Sequence, residues 1–183
     1  SLLEVKNLRV EFPTRRGTLL AIHDVSFTIE PGEVLGVVGE SGAGKSLTGA
    51  SIIGLLEPPG RVAAGEIWLE GERIDNLDYE DMRKIRGKKI GAIFQDPLTS
   101  LNPLYSVGRQ LVETIVTHLP MSMKKARARA IALLEEVGIP SALERIDHFP
   151  HQFSGGMRQR LVRDAAAIDE PELHVGLAAI ERR

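Results

Sequence analysis

Apolar and polar residues alternate along positions 2–12 and again along 19–29, where Val25, Phe27 and Ile29 share one face. A period of two is that of a half-buried strand. Two strands are therefore predicted, joined by the polar turn Thr14-Arg15-Arg16-Gly17. Pro31-Gly32 breaks the alternation, and the continuous apolar run Val34-Leu35-Gly36-Val37-Val38 that follows predicts a strand covered on both faces, as in a parallel sheet. Residues 44–56 read as a helix ended by Pro58-Pro59-Gly60, residues 66–69 as a short strand and residues 89–94 as a further buried strand. Beyond this point the spacing changes to three and four, which predicts helices over 107–118 and 123–137, the second closed by Gly138. The pattern implies an α/β core carrying a helical insertion, with no internal repeat.

Composition narrows the partners. With 43% hydrophobic and 26% charged residues, a chain of 183 residues can bury one core of ordinary domain size. A net charge of −2 gives no broad attraction to nucleic acid or acidic lipid, so any anion site must be local. The absence of cysteine excludes a disulfide framework and a thiolate metal site, and is compatible with a reducing compartment. No apolar run approaches the roughly 20 residues that cross a bilayer. The start, Ser1-Leu2-Leu3-Glu4, lacks the cationic and apolar regions of a signal peptide. The expectation is a cytoplasmic protein that meets a membrane only through a partner. Lys124, Lys125, Arg127 and Arg129 are read as the solvated face of a helix.

One local anion site is explicit. Gly39-Glu40-Ser41-Gly42-Ala43-Gly44-Lys45-Ser46 fits the phosphate-loop pattern G-x-x-x-x-G-K-[ST], placed after a predicted buried strand and before a predicted helix. Glycines let the backbone wrap a phosphate chain with successive N–H groups pointing inward, and the following helix adds its positive N-terminal end. Lys45 would reach the β- and γ-phosphates of ATP, and the Ser46 hydroxyl would help to hold Mg²⁺.

Further along, Phe153-Ser154-Gly155-Gly156-Met157-Arg158-Gln159-Arg160 resembles the signature motif of the ABC ATPases, downstream of a helical insertion as in that family. Ser154 and the amides of Gly155 and Gly156, at the start of a helix, would cap the γ-phosphate of an ATP held by another subunit; taken alone, Ser-Gly-Gly before a helix is a plain N-cap. The resemblance makes Gln95 the glutamine that approaches Mg²⁺ and the attacking water. It also puts Phe12 where an aromatic stacks on adenine, a core or edge phenylalanine being the alternative. The implied nucleotide-binding set is Phe12, Gly39, Glu40, Ser41, Gly42, Ala43, Gly44, Lys45, Ser46, Leu47, Ser154, Gly155 and Gly156, with Ser46 and Gln95 towards the metal. The stretch Ile93-Phe94-Gln95-Asp96-Pro97-Leu98-Thr99-Ser100-Leu101-Asn102-Pro103, with Phe149-Pro150-His151-Gln152, is similar to the dipeptide, oligopeptide and nickel importer subgroup.

The resemblance implies an α/β P-loop NTPase (RecA-like) core with an N-terminal antiparallel β subdomain and an inserted helical subdomain, the C-terminal part of the core missing. A single domain over 1–183 is expected, divided as 1–95, 96–152 and 153–183. Its tail departs from the family, which continues with an apolar strand ending in Asp-Glu and later a switch histidine. Read without gaps, Pro171-Glu172-Leu173 precedes that strand, and Leu177 and Ala178 take the Asp and Glu positions. In a second register Ala165-Ala166-Ala167-Ile168-Asp169-Glu170-Pro171 is the strand and Glu170 the general base. His174 is read as an ordinary histidine. The chain is accordingly expected to be truncated or to lack intervening segments. The implied partners are a second ATP-binding subunit, identical or homologous, membrane permease subunits contacted through residues 96–107, and, indirectly, an extracytoplasmic solute-binding protein. The implied role is hydrolysing ATP for an importer at the inner face of the membrane. The rivals are a nucleotide-binding subunit that does not hydrolyse ATP, and an ABC-type ATPase of DNA maintenance, which the short insertion and absent basic stripe disfavour.

Overall fold

β1 (Leu3–Thr14) and β2 (Gly17–Ile29) form an antiparallel hairpin with Leu3 opposite Ile29, Val5 opposite Phe27 and Val10 opposite Ile22. The alternation read from the sequence selects the inward face, where Leu3, Val5, Leu8, Val10 and Ile22 are buried. The hairpin turns at Arg15 and Arg16, closed by the Thr14 hydroxyl, which donates to the Gly17 carbonyl at 2.6 Å and accepts from the Arg16 N–H at 3.2 Å. β3 (Arg61–Leu69) bonds the other edge of β1, and β4 (Glu72–Arg73) completes an antiparallel sheet of order β2-β1-β3-β4. β3 starts at Arg61 rather than at residue 66 because Val62 and Ala64 continue the pairing to Val10 and Arg9.

The computed structural model describes residues 1–40, 42–94, 100–165 and 173–177, the last five and 163–165 by backbone alone. The chain divides into two units, Ser1–Arg86 with Glu172–Arg183, and Gly87–Pro171. In the first, α1 (Lys45–Ile52) lies beside β6 (Leu173–Leu177). α2 (Tyr79–Ile85) starts on Asp78, whose carboxylate accepts from the Asp81 N–H at 2.9 Å. Glu80 and Asp81 lie in its first turn and Arg83 and Lys84 in its last, matching the helix dipole.

Two expectations for this unit are corrected. The run 34–38 pairs with no strand among the described residues, and Val34 and Val38 are 95% and 77% exposed. A run apolar on both faces is covered only where strands lie on both sides of it, and β1 to β4 bond one another. α1 ends at Ile52 rather than at residue 56. Gly54 takes a left-handed φ of 65°, its N–H donates to the Ser51 carbonyl at 3.2 Å, and the Leu55 N–H reaches back to Ala50 at 2.8 Å. That pair of bonds closes a helix around a glycine and satisfies its last carbonyls.

The second unit is helical around one core. β5 (Ile90–Phe94) is buried at Ile90 but exposed at Phe94, so the predicted buried strand is buried only where it begins. α3 (Val107–His118) and α4 (Met123–Glu136) match their predicted spans, α4 one residue short. Leu111, Ile115, Ala126, Ala130 and Leu134 interlock with Ile146 and with Leu161 of α6 (Gly155–Ala165). α5 (Ala142–Arg145) leads into the strip whose Ile146 and His148 carbonyls accept the Gly108 and Val107 N–H groups at 2.7 and 2.8 Å. Every fully buried Leu or Ile here contributes about 1.5–3 kcal/mol relative to exposure. The basic cluster is a surface face as expected: Arg127 grips Asp147 bidentately at 2.9 and 2.7 Å, and Arg129 pairs with Glu136 at 2.8 Å.

One ionic group ties the sheet of the first unit together. The Asp75 carboxylate, 7% exposed, accepts the β3 amide of Ile67 at 2.8 Å and the Nε and Nη2 of Arg73 in β4 at 3.0 and 2.9 Å. Burial pushes this carboxyl up, but the Arg73 guanidinium and the Ile67 N–H outweigh it and hold it below the usual carboxylate range. A depressed folded-state value means that the stabilisation is present above the unfolded value of about 3.9 and is lost as pH falls through the lower folded value. Asp75→Asn should cost about 1–3 kcal/mol at pH 7, the worth of hydrogen bonds to a charged group. Urea midpoints of the two proteins should converge only once the pH is below the folded value as well, and a gap that persists there contradicts the assignment.

Candidate functional site

The loop before α1 is built by backbone conformation. Gly42 and Gly44 take left-handed φ values of 81° and 85°, and the Ala43 N–H turns back onto the Glu40 carbonyl at 3.2 Å. Gly44 also lies close over β2: a Cβ there would stand 3.2 Å from Ile22 Cγ1 and 3.4 Å from the Ala21 carbonyl oxygen. A side chain there would be strained by the φ and crowded by the strand beneath. Lys45 folds over the loop, its Nζ donating to the Gly39 and Glu40 carbonyls at 2.7 Å each. The hydrogen-bond ladder of α1 opens with the Thr48 N–H on the Gly44 carbonyl at 2.9 Å, so the amides of Lys45, Ser46 and Leu47 precede it. No side chain caps this end, and no acidic residue lies in the first turn. The result is a cluster of amide donors and one ammonium that no carboxylate pairs among the described residues, which suits a polyphosphate.

The second motif is also a helix start. The Ser154 hydroxyl accepts from the Met157 N–H at 3.3 Å, and its carbonyl accepts from the Arg158 N–H at 2.9 Å. Ser154 is thus the N-cap of α6, and the Gly155 and Gly156 amides stand ahead of the ladder. A Cβ added to either glycine would meet nothing within 4 Å. The cap uses the hydroxyl and the third amide of the helix, so it is compatible with anion binding at the first two.

Gly39, Glu40 and residues 42–47 therefore form one loop and helix start, with Ser46 exposed and Leu47 half-buried. Phe12 is half-buried in β1, two residues from Val10, whose partner Ile22 lies under Gly44. Its ring packs on the turn at Gly60, Cε1 standing 2.7 Å from where a Cβ there would be. Ser41, Gln95 and Glu170 lie outside the described residues, as does Ala178. Ala165 is the last residue of α6, and β6 occupies 173–177 with Leu177 at its end and His174 within it. Two contributors went unassigned in the sequence. Arg86 donates to Ile53 and Gly54 at the end of α1, and Arg160 donates to Val137 and Gly138 at the end of α4. Arg86 is over 30 residues from its partners and belongs to no motif that would have marked it.

Known proteins resemble this chain in sequence and in fold. The ABC transporter family model matches residues 22–175. The oligopeptide transport ATP-binding protein OppD of Bacillus subtilis is 49% identical over 173 residues, 94% of this chain and 48% of that protein. The dipeptide transport ATP-binding protein DppD of the same organism is 48% identical, over 93% of this chain and 51% of its own length. The chain spans about half the length of the curated relatives it matches. Among solved structures, the dimeric ATP-binding cassette MJ0796 in a post-hydrolysis state bound to ADP and Pi superposes with a TM-score of 0.80 at 26% identity, over 95% of this chain and 72% of that one.

The capping role of Ser154 is testable apart from any ligand. Ser154→Ala should lower the unfolding free energy by about 1 kcal/mol, and Ser154→Asp, which keeps an acceptor, should restore most of it. Equal urea midpoints for the alanine variant and the parent protein would remove the cap.

Proposed function

The chain belongs to the ABC transporter family, and from that premise we propose that its glycine loop binds ATP with Mg²⁺ and that the protein hydrolyses ATP to drive peptide import. The observation that carries this reading is Lys45 held over the loop at 2.7 Å from the Gly39 and Glu40 carbonyls, beside three helix-start amides. A triphosphate entering the loop offers the ammonium a full negative charge in place of two neutral carbonyls, and the amides of residues 45–47 face the same oxygens. Ser46, exposed at the second helical position, is suited to the metal, which when bound spreads the phosphate charge.

A second subunit completes the site in this reading. The Gly155 and Gly156 amides serve the ATP of a partner copy or homologue, a role supported by the dimeric state of the MJ0796 cassette. Gln95, just beyond β5, orients the water, and Glu170 is the candidate base. Phe12, in β1, is the candidate to stack on adenine. Peptide import rests on the names of the relatives, and with it come the permease, the external binding protein and a peripheral place on the cytoplasmic face. No helix among the described residues is long and apolar enough to cross a membrane. One observation favours the reading without hydrolysis: β6 lies where the ungapped register puts the Asp-Glu strand, and it ends on Leu177. Release of phosphate from ATP separates the two.

Lys45→Ala should weaken equilibrium ATP binding by about tenfold to a hundredfold, the scale of a lost charge-assisted bond; unchanged affinity rejects the phosphate site. Gly155→Asp, which the open surface there can accommodate, should leave binding by the monomer intact and prevent ATP-dependent dimerisation. A normal dimer on size-exclusion chromatography would count against the signature role.

A further inference from the structure

We infer that Arg86 is a positioning residue for the phosphate loop, acting through α1 from the opposite end of that helix; the inference rests on the phosphate-site reading above. α1 has eight residues, so it is about 12 Å long, and a displacement at one end reaches the other. The two carbonyls just past its end are taken by a guanidinium: Arg86 Nε donates to the Ile53 carbonyl at 2.7 Å and Nη2 to the Gly54 carbonyl at 2.6 Å. A cation at the C-terminal end of a helix is also where the dipole favours it.

The guanidinium is itself held. Arg86 is the C-cap of α2, its N–H donating to the Met82 carbonyl at 3.0 Å. Met82 and Ile85 are buried, and the Tyr79 ring lies 5.5 Å from the guanidinium carbon. The approach is close as well as polar: a Cβ on Gly54 would stand 2.9 Å from Arg86 Nη2 and 3.1 Å from Met82 Cγ. A side chain at position 54, already disfavoured by φ 65°, would push the guanidinium away from these carbonyls. Lysine cannot reproduce two donors in one plane. A short helix is marginal in isolation, so such an anchor governs the position of its first turn as well as its last.

The test uses the full chain with a fluorescent ATP analogue and Mg²⁺, alongside hydrogen exchange at the α1 amides without nucleotide. Arg86→Ala should weaken binding about tenfold, the scale of one bond to a charged group, and speed exchange at Thr48, whose N–H opens the ladder of α1. Arg86→Lys should recover part of both effects. Asp75→Asn serves as the control for stability alone: its bonds go to β3 and β4, so it should lower the unfolding midpoint and leave affinity unchanged. Arg86 variants that bind as the parent does, or that lose no more affinity than Asp75→Asn at matched stability, overturn the inference. Failure of the phosphate-site reading is distinct, because Lys45→Ala would then bind as the parent does, while the exchange at Thr48 still reports whether Arg86 holds the helix.

Discussion

Helix ends carry backbone groups that the helix cannot satisfy, and the way each end is closed organises both units of this chain. At the end of α1 the chain turns out through Gly54 and Arg86 takes the carbonyls of Ile53 and Gly54, just past the helix. At the end of α4 it turns out through Gly138, φ 70°, and Arg160 takes the carbonyls of Val137 and Gly138 at 2.9 and 3.1 Å. In the first unit the arginine belongs to the neighbouring helix and holds the helix of the glycine loop. In the second the arginine belongs to the helix of the Ser-Gly-Gly motif and holds its neighbour. Each glycine motif is thus tied, through a guanidinium, to a helix terminus that has no part in binding.

The opposite ends are treated differently. α2 fills its first turn with Asp78, Glu80 and Asp81, using its own carboxylates to neutralise its dipole. α1 has no acid there and begins on a glycine, so its positive end is left to whatever enters the loop. In a chain of net charge −2 this is a local inversion of sign, which is what selective anion capture requires. Lys45 lies across the loop on two neutral carbonyls, an arrangement that a phosphate oxygen can displace.

Much of this was legible in the sequence. Period-two alternation identified β1 and β2 because one face of that sheet is buried, and three-four spacing, closed by Gly138 in the second case, identified α3 and α4 almost to the residue. The glycine loop was legible because few backbones need left-handed residues at those intervals before a lysine. The run 34–38 misled because an apolar run states a requirement for neighbours without supplying them, and the described strands pair elsewhere. The end of α1 was misplaced because the prolines at 58 and 59 are louder than the single Gly54 that stops the helix. Arg86 was invisible for a different reason: its function is a contact across more than 30 residues, and no local pattern encodes such a contact.

Ser154 shows why a structural and a functional reading of one motif need not compete. A helix of this kind opens with amides that lack intrahelical partners, and a serine at the cap can satisfy only one of them with its hydroxyl. Here it takes Met157, while the Ser154 carbonyl takes Arg158. The Gly155 and Gly156 amides remain, on a surface where even a methyl group would meet nothing. Capping fixes the direction of the first turn, and glycine keeps the approach open. A tighter cap would therefore sharpen, rather than block, the presentation of those two donors to a phosphate.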